Sequence, residues 1–217
     1  SISGQNISIE AQDPDNENVM GLPSFDGRKI SLPAVIAEFP TVAQNTVCYR
    51  MTLLHQIGFF EAGTFNYRHG DAGSDAFAEL FSSYSDSHLA NDIFKSLEDY
   101  RVDHYLMGRY GGAAVDLREL MAGTLEKRAW PESLARPQRG LELLIRISLG
   151  AHQFDDADRD TVDQLLNAIT PLSEPGADVF ATVRALESCY AAIATDEASL
   201  DEGTESETED DVPGGDS

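Results

Sequence analysis

From Thr41 to Ala194 the apolar side chains recur three and four residues apart, and glycine or proline cuts the pattern at short intervals. Such a pattern feeds helices of moderate length joined by tight breaks, and it leaves no room for long strands. Thr41 is placed to cap a first helix that runs to about Phe60, with Val42, Val47, Met51, Leu54 and Ile57 as its apolar stripe. Gly63 and the stretch Gly70 to Gly73 break it, and a short helix follows from Asp75 to Tyr84. Ser85, Asp86 and Ser87 then cap a long helix from about His88 to Arg109, whose buried stripe reads Leu89, Ile93, Leu97, Tyr100 and His104. Gly111 and Gly112 stop that helix, as a terminus rather than a phosphate loop. Further helices are expected near Ala114 to Lys127, Pro137 to Leu149, Asp160 to Ile169 and Ala177 to Ala194, with Pro131, Pro171 and Pro175 at the joints.

The expected fold is therefore mainly α: one helical domain of six or seven helices over residues 41–195. Two flanks differ from it. Residues 1–40 alternate in Ile7-Ser8-Ile9 and in Arg28-Lys29-Ile30-Ser31-Leu32, separated by turn-forming residues, which suits short extended strands or an irregular arm, ended by Pro40. Residues 196–217 hold ten acidic side chains, no Lys or Arg, and only Leu200 and Val212 as sizeable apolar groups. Such a tail cannot offset chain entropy by burial and is expected to be disordered.

The chain carries a formal charge of −23, and removing the tail's ten acids still leaves −13 on residues 1–195. Nucleic acid and anionic membrane are therefore poor partners, since a polyanion needs clustered cations. A basic protein surface is the natural complement, although charge that only keeps the chain soluble fits equally well. No apolar run reaches the roughly 18 residues of a membrane span, and no signal peptide opens the chain. Cys48 and Cys189 lie far apart in apolar helical contexts and read as buried thiols of a cytoplasmic protein.

Two segments place ionisable groups inside this apolar pattern: His55 to Phe65, and Leu97-Glu98-Asp99-Tyr100-Arg101-Val102-Asp103-His104. A His-Glu-x-x-His zinc peptidase grips its metal with two histidines one helical turn apart and uses the glutamate as base. Here His55 stands at the first ligand position, Gln56 at the base position and Phe59 at the second ligand position. Gln cannot take a proton from metal-bound water and Phe offers no lone pair, so hydrolysis by that mechanism is lost. An unusual metal site of His55 with Glu98 or Asp99 stays open beside a half-buried histidine bonded to one of those carboxylates.

Glu98 and Arg101 are spaced to pair, whereas Asp99 and Asp103 at i and i+4 repel unless a cation faces them, with Arg50, Arg109 and Arg118 as candidates. An ion network between helices and a ligand site both satisfy that spacing. Asp156, Asp158 and Asp160 do not make a calcium loop, because Thr161 stands where glycine is needed and Asn167 where a bidentate Glu is needed. They suit the start of a helix instead. No GxSxG, P-loop or GxGxxG occurs, and Trp130 reads as packing.

With these residues in view, the stretch from about Leu22 to Arg128 resembles the N-terminal region of the NorD and CbbO group of von Willebrand factor A proteins, with the cobalt chelatase subunit CobT as a more distant relative. The runs that carry the resemblance are Tyr49-Arg50 through His55-Gln56, Glu61 to Phe65, Glu98 to Asp103, Arg109-Tyr110 and Asp116-Leu117. The resemblance implies a non-catalytic adaptor without a cofactor that works with a MoxR-type AAA+ ATPase on a target enzyme, Rubisco or nitric oxide reductase in type. It implies that the acidic tail is a linker, and that Glu61, Glu98, Asp99, Arg101, Asp103, His104, Arg109, Tyr110 and Asp116 form a structural or interaction network. The family's Asp-x-Ser-x-Ser metal motif is missing from the 217 residues, so metal-dependent target binding does not carry over.

Overall fold

The computed structural model describes residues 8–11, 29–32, 35–67, 76–131 and 133–194. The acidic tail, the Gly70 to Gly73 break, His69 and most of the 1–40 arm lie outside these residues. Among the described residues the chain is mainly helical, with seven α-helices and a two-stranded parallel sheet. Strand β1 (Ser8–Ala11) pairs with β2 (Lys29–Leu32) in the register Ile9 to Ile30, and β2 lies against the first helix.

Helix α1 (Val42–Glu61) starts where the hydroxyl of Thr41 accepts from the Gln44 amide at 3.2 Å. Asn45 clamps the incoming chain, accepting from the Phe39 amide at 2.9 Å and donating to its carbonyl at 2.8 Å. The helix ends at Gly63, whose φ of +73° lies in the left-handed region that glycine enters without strain. A 3-10 turn (Thr64–Asn66) and the short α2 (Ala76–Ser82) follow.

The spine is α3 (Ser87–Arg109), capped by Asp86, whose carboxylate accepts from the Leu89 amide at 2.9 Å. Its buried face differs from the expected stripe. Ala90, Ile93, Phe94, Leu97, Glu98, Arg101, Val102 and Leu106 are buried, whereas Leu89, Tyr100 and His104 are only half-buried. The stripe is rotated because the helix buries a charged pair, Glu98 with Arg101, that an apolar count passes over. The same holds on α1, where Thr52, His55 and Gln56 are buried with Met51 and Phe59 while Val42 is exposed.

Gly111 and Gly112 do not simply stop α3. Tyr110 alone interrupts the backbone, and α4 (Gly111–Lys127) begins on the two glycines. Then come α5 (Arg136–Ser148), α6 (Arg159–Ile169) and α7 (Val179–Ala194). α5 ends in a Schellman motif: Gly150, at φ +89°, donates to Ile147 O, and the Ala151 amide reaches back to Arg146 O at 2.9 Å. No described helix is long and apolar enough to cross a membrane.

Two apolar clusters share α3. Its N-terminal half packs Phe94 and Leu97 with Phe77, Leu143, Leu144, Leu165 and Leu186 of α2, α5, α6 and α7. Its C-terminal half packs Val102 and Leu106 with Met51, Phe59, Ala113 and Leu117 of α1 and α4. Each such Val, Leu, Phe or Met side chain, fully buried, contributes about 1.5–3 kcal/mol of transfer free energy. Two helix pairs approach closely through glycine: a Cβ on Gly58 would stand 2.7 Å from Val102 Cγ1, and one on Gly140 would stand 2.8 Å from Ile193 Cγ1.

Candidate functional site

Glu98 and Arg101 sit between the two clusters, at 0% and 1% exposure. One turn apart on α3, they meet as a fork: Arg101 Nε donates to Glu98 Oε2 at 2.8 Å and Nη2 donates to Oε1. Thr64 and Thr182 donate their hydroxyls to the two carboxylate oxygens, the second at 2.6 Å. Arg101 Nη1 donates to the carbonyls of Ala62 and Ala177 at 3.0 and 3.1 Å. The pair therefore ties the end of α1, the following turn and the start of α7 to α3. A buried pair survives desolvation only when its remaining lone pairs and protons are met, and here they are.

Glu98 is thereby turned away from His55, so the metal set of His55, Glu98 and Asp99 does not assemble. Among the described residues no group of three or more His, Cys, Asp or Glu has the arrangement to hold a metal ion. Phe59, at the lost second ligand position, is a core residue at 0% exposure whose ring meets the His55 imidazole edge-on at 4.8 Å.

The other face of α3 gathers His55, Asp99 and Asp103. His55 Nε2 lies 3.3 Å from Asp103 Oδ1 and 3.8 Å from Asp99 Oδ1. It is aligned for a hydrogen bond with neither, and it is a buried atom left without one. Desolvation in the groove pushes the Asp99 carboxyl up to about 7, although its side chain is 38% exposed; His55 and Lys95 work against that shift, and Asp103 and Glu98 add to it. Burial likewise pushes Asp103 up to about 7.

The three line a groove of about 760 Å³ between α1, α3, α4 and α5, with Val35, Ile36, Glu38 and Phe39 also on its wall. Its walls include Phe39, Met51, Leu117, Leu120 and Ile145. A second cavity of about 690 Å³ lies beyond Tyr100 and Met121 and holds Arg118 and His152.

The expected cations do not face Asp99 and Asp103. Arg50 pairs with Asp116 at 3.7 Å, Arg109 is exposed with its guanidinium 6.0 Å from the Tyr110 ring, and Arg118 points into the second cavity. Glu61 accepts from the Tyr110 hydroxyl at 2.8 and 3.0 Å, tying α1 to the α3–α4 junction, and this bond raises the phenol above its ordinary range. His104 turns back to its own helix, with Nδ1 2.9 Å from Tyr100 O.

The sequence reading missed a third polar network. Glu142 accepts from Arg128 at 2.6, 2.8 and 3.0 Å and from Arg146 at 2.7 Å. Trp130 is more than packing: its ring lies 4.4 Å from the Arg146 guanidinium and 5.2 Å from that of Arg139. Arg139 in turn binds Asp158 with two bonds of 2.6 Å, which is why that aspartate is buried ahead of α6. The i, i+4 spacing of Glu142 and Arg146 was the available signal. Thr64 and Thr182 carried none, since a lone threonine in an apolar run does not announce a partner.

Cys189 is buried and its thiol is pushed up to about 12, while Cys48 is only half-buried, lines the groove and is also raised by burial. Neither is an activated nucleophile. Comparisons with protein-family models, curated proteins and solved structures found no match for this chain.

Proposed function

We propose that this chain is a non-catalytic adaptor domain of the NorD and CbbO type, working with a MoxR-type AAA+ ATPase in the activation or remodelling of a target metabolic enzyme. The observation that carries this reading is the use made of the residues behind the resemblance. Glu98 and Arg101 bond across α1, α3 and α7, Glu61 bonds to Tyr110, and Arg50 pairs with Asp116. Side chains engaged in this way hold helices in register, and their polar atoms are committed to partners on neighbouring elements. They mark an architecture rather than a reaction, which is what an adaptor requires.

The net charge of −13 on residues 1–195 favours a basic partner surface. The test is native mass spectrometry with a MoxR-type ATPase at low and high salt. A stoichiometric complex weakened by salt is the expected result, and no complex at low salt overturns the reading. Stoichiometric zinc lost in His55→Ala would overturn the non-catalytic part separately.

A further inference from the structure

We propose that the groove over α1 and α3 is a binding site for an organic cation, a guanidinium or primary ammonium on an apolar stem, held between Asp99 and Asp103 with His55 beneath it. Three observations converge on that chemistry. The two carboxylates lie on one helix face, and among the described residues no Lys or Arg stands within ion-pair distance of either, Lys95 acting on Asp99 only from beyond it. His55 can offset at most one of the two charges, and from 3.3 and 3.8 Å its single Nε2 meets neither oxygen in line. His55 is 6% exposed and its Nε2 is aimed into the cluster with its hydrogen bond unmade, an arrangement that costs free energy until an N–H of an entering group donates to it.

The described acids and histidines offer no three-ligand set for a metal ion, so the chemistry of the groove favours an organic cation. The walls decide the rest of the ligand. A groove of about 760 Å³ lined by Val35, Phe39, Met51, Leu117, Leu120 and Ile145 takes an apolar body, and its few converging polar groups orient the charged end. The cations at the rim do not fill it. Lys127 donates to the Glu38 carbonyl with its ammonium 3.7 Å from the centre of the Phe39 ring, and Arg128 is engaged by Glu142.

A bound cation competes with the protons on the two carboxyls. The other titratable or charged groups facing the groove are Glu38 ahead of α1, Cys48 on α1, Tyr100 on α3, Lys127 at the end of α4 and Arg128 just beyond it, and Lys95 and Glu98 on α3 also act on Asp99; α5 contributes only Ile145, Ser148 and the flanking Leu149. Between pH 6 and 8 the carboxyls at about 7 dominate, so cation affinity rises as pH rises through that range.

The experiment is calorimetric titration of the full chain with n-hexylammonium, n-hexanol and an N-acetyl-Leu-Arg-Leu-amide peptide. Saturable binding of hexylammonium or the peptide at least about tenfold tighter than hexanol, falling toward the hexanol value in Asp99→Asn/Asp103→Asn and on lowering the pH to 6, is the expected result. Tighter binding of the peptide assigns the site to an arginine of a partner protein, and tighter binding of hexylammonium assigns it to a free amine. Equal affinity for hexylammonium, peptide and hexanol overturns the proposal without recourse to a variant, as does cation binding that the folded double variant retains.

Discussion

Thr182 on α7 donates its hydroxyl to Glu98 on α3 at 2.6 Å, joining two helices whose residues are 84 apart in sequence. Because Arg101 holds the same carboxylate, the bond places the start of α7 against the middle of the spine. Removing either member of the ion pair leaves the other charged in an apolar surrounding. Arg101→Met is expected to cost about 3–5 kcal/mol in urea unfolding, and Arg101→Met combined with Glu98→Gln is expected to cost less than the sum of the two single changes.

Gly58 is where α1 meets α3. In Gly58→Ala the new methyl meets the branched Val102 side chain at 2.7 Å and Leu106 at 3.0 Å, and a Val102 fixed on a helix has little freedom to turn away. The overpacking should outweigh alanine's better helix propensity and lower stability by about 1–2 kcal/mol. Thermal melts of Gly58→Ala with and without Val102→Ala check this, since the second change removes the closest contact and leaves only the flexible end of Leu106.

Asp99 and Asp103 set a pH dependence opposite to that of an ordinary paired carboxylate. Their folded values of about 7 lie above the ordinary value of 3.8. Between those limits the folded state holds protons that the unfolded state has released, so the contribution is fully present below the unfolded value and is lost as pH rises through 7. Asp103→Asn should therefore stabilise the protein at pH 8, by about 1 kcal/mol after discount for the water that reaches the groove, and the gain should vanish near pH 4. Melting temperature followed from pH 4 to 8 in both proteins would refute this if the difference stayed constant.

Glu142 accepts from both Arg128 and Arg146 while remaining 7% exposed. Glu142→Gln keeps the shape and removes the charge, leaving two guanidiniums close together with weaker acceptors. A loss of about 2 kcal/mol is expected, together with changed Trp130 fluorescence, because the ring packs on Arg146. Unchanged emission would mean that Glu142 does not position Arg146.

How much of the candidate site could be read beforehand follows from the kind of signal each residue sends. Glu98 and Arg101 announce their pairing through i, i+3 spacing, and His55 stands out as an ionisable group in an apolar run. The partners that complete the pair do not announce themselves: Thr64, Thr182 and two backbone carbonyls come from segments 34 to 84 residues away. The expectation that arginines would face Asp99 and Asp103 failed because Arg50, the nearest candidate on α1, points to α4 and Asp116 instead.

The sequence by itself determined the helical class, the caps at Thr41 and Asp86 and most of the helix limits, because capping, helical period and breakers act within a few residues. Only the tertiary structure decided which face of each helix is buried. On α3 the apolar count alone pointed to Tyr100 and His104, yet packing against α1 and α7 turned Glu98 and Arg101 inward and left Asp99 and Asp103 with His55 in the groove. A charged pair enters a core only when several distant donors and acceptors are assembled around it at once, and that sum over separate segments is not a local property of the chain.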